Sequence, residues 1–169
     1  AIELDGRIFW MGAKDFFVYD GAVKALPCTV RRYVYNDFNF DQKEKVYAGT
    51  NQEFREVTWL YPSKNATEVD RYVSYNPVEN YWTFGTTIFT TWEDKEVFQN
   101  VITTGREADG DNYLYTNEPE DIYTADGQKQ EAFLESSEFD TTPPSYGPGD
   151  NIMYLDRIVP DFTINDGGR

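Results

Sequence analysis

The chain has 169 residues, enough to bury a sizeable core in one domain or a closely joined pair, and 17% of them are aromatic. Thirty acidic residues against 15 Lys and Arg give a formal charge of −15, which disfavours a static grip on nucleic acid or an anionic membrane, because phosphate contacts need clustered cations. The absence of histidine and a single cysteine, Cys28, exclude histidine-based triads, histidine-ligated zinc, an internal disulfide and multi-cysteine metal clusters.

Tyr and Phe dominate the aromatic share, Val, Ile and Thr are common nearby, and runs of Ala, Leu and Glu at helical spacing are missing, so the chain reads as all-β. The opening AIELDGRIFW has no basic region, apolar run or cleavage site, and a start so close to a strand predicts a piece of a longer chain. Arg7 to Gly12 and Phe16 to Tyr19 alternate in character, and Asp20-Gly21 predicts a hairpin with Val23 to Cys28 as its return strand. Cys28, at the end of that strand, reads as a small buried hydrophobe with no base beside it. Tyr33 to Tyr35 is expected to extend. One short helix is expected near 37–45, with Asp37 as its cap, acids early and Lys43 and Lys45 late.

KVYAGTN, EVTWLYPS and RYVSYNPVENYWTFG then supply four strands before Gly85. TTWEDKEVF reads as a connection, and NVITTG, NYLYTN and DIYTADGQKQEAFLESS repeat the strand layout. Aligning Trp10, Trp59 and Tyr113 gives spacings of 49 (59 − 10) and 54 (113 − 59), a period in the range of propeller blades. The fold expected is therefore antiparallel four-stranded blades of a β-propeller, about three of them, within a single domain or fragment spanning 1–169. The blades fall near 1–28, 45–85 and 100–140, and 152–164 begins a further one. On this alignment the first copy lacks a leading strand. Thr141 to Asn151, with Pro143, Pro144 and Pro148, reads as an exposed loop.

Few residues suggest chemistry. Asp109, Asp111 and Asn112 place oxygen ligands close together, but without the twelve-residue calcium-loop pattern a solvated turn is the favoured reading. Glu118, Glu120 and Asp121 form a second acidic cluster. Trp10, Trp59 and Trp82 are expected to pack between repeats, whereas Trp92, Tyr146, Pro143 and Pro144 are expected at an interface with another molecule. No catalytic constellation, cofactor or metal is expected. Ser-x-Asp-x-Gly-x-Thr-Trp boxes of propeller sialidases are absent, which makes a hydrolase the weakest alternative. Exposed Trp and Tyr stacking on sugars would make a glycan-binding module instead.

KVYAGTNQEFREVTWLYPS, RYVSYNPVENYWTFGT, TTWEDKEVFQNVITTG, NYLY, AFLESSEFD and RIVPDF together resemble the tail nozzle, tail hub or packaged-DNA stabilisation proteins of short-tailed phages. The resemblance runs from about Arg7 to Phe162 and rests on several motifs of medium specificity. It implies a homo-oligomeric ring, commonly of six subunits, placed in the virion tail after assembly in the host cytoplasm. Its partners would be portal, adaptor and tail fibre or needle proteins. DNA would pass through its channel without specific binding, and no membrane would be involved. Glu118, Glu120 and Asp121 would then be candidates for an acidic channel wall that repels phosphate. Such proteins are several times longer than this chain.

Overall fold

The computed structural model describes residues 1–95, 98–106 and 110–117, together with the backbone of 124–125 and 128–129. The chain divides into two compact units, Ala1–Pro119 and Glu120–Arg169. The first unit holds three antiparallel sheets of four, four and three strands, each strand pairing with its sequence neighbour, and one short α-helix. In the second, β12 (Thr124–Ala125) and β13 (Gln128–Lys129) form a small antiparallel pair.

The first sheet runs β1 (Ile2–Leu4), β2 (Arg7–Met11), β3 (Phe16–Tyr19) and β4 (Val23–Leu26). Its first strand corrects the expectation that this copy lacks one. Leu4 pairs with Arg7 across Asp5-Gly6, both at positive φ, the two-residue turn that Asp-Gly favours. Alternation sends Leu4, Phe9, Phe16 and Leu26 into the core from one face. The opposite face carries Ile8, Trp10, Phe17 and Tyr19, with Trp10 stacked on Phe17 at 5.5 Å. Trp10 therefore lies outside the core that was expected to contain it.

Between the first two sheets, Arg31–Asp37 forms α1 where an extended segment was expected, and a 3₁₀ helix occupies Phe40–Lys45. Val30, Val34 and Phe38, four residues apart, put one face of this segment against the core, and that burial overrides the weak helix propensity of its Tyr and Val residues. Asp37 ends α1 instead of capping a helix. The cap of the 3₁₀ turn is Asn39, whose side-chain oxygen accepts from the Asp41 N–H at 3.1 Å.

The second sheet runs β5 (Tyr47–Asn51), β6 (Glu56–Tyr61), β7 (Arg71–Asn76) and β8 (Tyr81–Thr86). Five consecutive residues of β6 are buried, because both of its faces are covered. Val57, Trp59 and Tyr61 join Phe9 and Phe16 on one side, and the Thr58 and Ser74 hydroxyls pair at 2.6 Å on the other. The third sheet is β9 (Phe89–Glu93), β10 (Ile102–Arg106) and β11 (Asn112–Thr116).

That third sheet shifts the expected repeat by one strand. Trp92 stands in β9, not in a connection, and Tyr113 lies in a third strand whereas Trp10 and Trp59 lie in second strands. First strands begin at Ile2, Tyr47 and Phe89, giving spacings of 45 (47 − 2) and 42 (89 − 47). The expected strands after Ser137 lie outside the described residues.

Candidate functional site: the seams between sheets

Aromatic rings fill the first seam. Phe16 lies 4.9 Å from Trp59 and 4.8 Å from Trp82, and Trp82 lies 4.6 Å from Tyr75. Tilted rings at such separations add to the free energy of burial, which is about 1.5–3 kcal/mol for each large side chain. The Trp82 indole N–H donates to the Pro27 carbonyl at 3.0 Å, so a ring of the second sheet also ties down the end of β4. At the C-terminal end of α1, Arg71 reaches Asp37 at 3.3 Å, while Asp70 accepts from the Ser63 N–H and hydroxyl, both at 2.7 Å.

The second seam is built on the absence of a side chain. Trp92 covers Gly49 of β5 so closely that a Cβ there would lie 2.2 Å from the indole. With its ring seated, the Trp92 N–H donates to the Thr50 carbonyl at 2.6 Å. Asp94, just beyond β9, accepts from the Thr50 hydroxyl at 2.9 Å and the Gln52 N–H at 3.1 Å, and Lys95 pairs with Glu53 at 2.6 Å. These contacts join β5 and the loop after it to β9 and the residues just beyond it, the first strands of successive sheets.

Beside that line opens a cleft of about 280 Å³. Its floor is the hydroxyl row Thr58, Ser74 and Thr83, and Tyr72 and Trp92 contribute aromatic walls. Glu56 at its rim accepts from the Tyr81 hydroxyl at 2.8 Å, which raises the Tyr81 pKa. These groups can hydrogen-bond and stack, and none of them is an activated nucleophile. Elsewhere, burial pushes the Cys28 thiol up to about 11, so it stays protonated at neutral pH.

Of the residues singled out from sequence, Trp92 has a defined place, half-buried in the seam within this chain. Asp111 and Asn112 sit where the β10–β11 hairpin re-enters β11, next to Gly110 at positive φ. Asp109, Glu118, Glu120, Asp121, Pro143, Pro144 and Tyr146 lie outside the described residues. Among the described residues no group of three or more acidic or thiol side chains is placed to hold a metal ion. No described helix is long and apolar enough to cross a membrane.

Gly49, Thr50 and Asp94 escaped sequence reasoning. The signal available was Trp92 followed by Asp94, an indole donor and a carboxylate on one side of a strand end. In comparisons with known proteins, the chain matches no protein-family model and no curated sequence.

Proposed function

We propose that this chain is a structural wall element, part of a β-propeller that assembles laterally into a ring in the tail of a short-tailed phage, around the channel through which DNA leaves. The observation that carries the reading is the order of the seams. β1 adjoins β5, and β5 adjoins β9, so the first strands of successive meander sheets lie side by side, as the inner strands of neighbouring blades do.

The outer face of the first sheet supports the same reading. Ile8 and Tyr19 are 41% and 43% exposed beside the Trp10–Phe17 stack, a patch of apolar side chains of the kind that covers a neighbouring blade. Lateral packing of one copy against another would cover it. The net charge of −15 suits a channel that must let DNA slide, since a negative wall repels phosphate.

Light scattering on the purified chain tests the assembly. The expected result is a closed oligomer that Trp10→Glu, with an unchanged circular dichroism spectrum, reduces to monomer. A wild-type chain that is monomeric at all concentrations, or a variant of unchanged mass, rejects it.

One observation favours a second reading, a glycan-binding module: the cleft joins a hydroxyl row to aromatic walls. Binding on a glycan array that Tyr72→Ala removes would support it.

A further inference from the structure

A chain with twice as many acids as bases gathers four of its cations along one trough. The β2–β3 turn, α1 and the 3₁₀ helix enclose two adjoining hollows of about 270 and 350 Å³, which share Ala13 and Phe40 as a common wall. Lys14, Arg31 and Arg32 line the first and Lys43 the second, and neither lining includes an acidic residue. Met11, Phe38 and Val46 give the second hollow an apolar floor.

Arg31 is held by Asp15 at 3.2 Å, but no ion pair engages Lys14, Arg32 or Lys43 among the described residues. The placement also runs against local preference. Arg31 and Arg32 occupy the first turn of α1, where the helix dipole favours acids, and no acid stands there. Asp15 accounts for Arg31, and Lys43 suits the last turn of the 3₁₀ helix, but Lys14 and Arg32 have no such reason within the fold, and an anionic ligand would supply one.

The geometry points to a docking groove for an extended acidic peptide segment of a partner protein, with two or more carboxylates over Lys14, Arg31 and Arg32 and one aliphatic or aromatic anchor in the hollow beside Phe40. Charge complementarity selects the acid, and the apolar floor selects the anchor. A long polyanion is disfavoured, because it extends beyond the ~8 Å over which local charge is felt at physiological salt and meets the field of an acidic molecule.

Fluorescence anisotropy with a labelled peptide, Glu-Glu-Phe-Leu-Glu-Glu, tests the groove on the full chain. Saturable binding is expected, weakened by added salt and by about tenfold or more in the double variant Lys14→Glu, Arg32→Glu, whose folding is checked by circular dichroism. Phe40→Ser, at a ring 47% exposed and with folding checked in the same way, should weaken it separately. No binding at millimolar peptide overturns the proposal. So does equal binding of a Gln-Gln-Phe-Leu-Gln-Gln peptide, equal binding by the double variant, or a twelve-residue oligothymidylate that binds as tightly and competes.

Discussion

At the scale of single residues, the second seam depends on Gly49 having no side chain. A methyl group 2.2 Å from the Trp92 ring must displace the indole and with it the hydrogen bond to Thr50. Overpacking of this kind costs about 1–3 kcal/mol. Gly49→Ala is therefore expected to lower the urea midpoint by that equivalent and to red-shift Trp92 fluorescence, while Gly21→Ala, at a φ of +102° in open space, strains only its own turn. Titration gives a second residue-scale expectation. Burial raises the pKa of the Cys28 thiol to about 11 and raises those of the Tyr35 and Tyr61 hydroxyls above 10. The folded chain keeps these protons where the unfolded chain releases them, so stability is full below about pH 9 and falls as pH rises through 9 to 11. Denaturant midpoints from pH 7 to 11 check this, and Tyr35→Phe should flatten the decline.

Among elements, the second sheet is secured by two matching hairpin loops. Asn51 and Asn76, both buried, each close a four-residue loop by accepting from the backbone N–H groups two and three residues on, and the fourth loop residues, Arg55 and Asn80, take positive φ. Asn76 also donates to the Phe54 carbonyl at 3.0 Å, joining one loop to the other. Asn76→Ala leaves those groups without a partner and should cost about 1–3 kcal/mol, with faster amide exchange at Val78 and Glu79 as the local sign. Sequence made this sheet the most legible part of the fold, because EVTWLY and RYVSYN carry enough β-branched and aromatic residues to mark strands without help. The elements that differ from expectation are short or depend on their neighbours. β1 has three residues, and only the Asp5-Gly6 turn announces it. β9 is rich in Thr and leads into Asp94 and Lys95, which read as a linker until Thr50 and Glu53 appear opposite them. In α1 the signal was the spacing of Val30, Val34 and Phe38, hidden among residues with a preference for strands.

For the whole molecule, composition was enough to establish a mainly β chain and to remove histidine chemistry, and it contained no trace of where the seams would lie. Those depend on contacts between residues more than 40 positions apart, such as Trp92 with Thr50 and Trp82 with Pro27. First strands at Ile2, Tyr47 and Phe89 repeat at 45 and 42 residues, more evenly than the aromatic anchors do, which suits the proposed propeller. The first sheet has an apolar outer face and the region around α1 a cationic trough, the two surfaces on which the proposed contacts rest. The most direct test of the account is electron cryomicroscopy of an intact particle that contains this protein. The account predicts density for the three sheets repeated around the tail axis, with β1, β5 and β9 nearest the propeller axis and the Trp10 face against a neighbour. A chain absent from the particle, or present with the Trp10 face open to solvent in every copy, would contradict it.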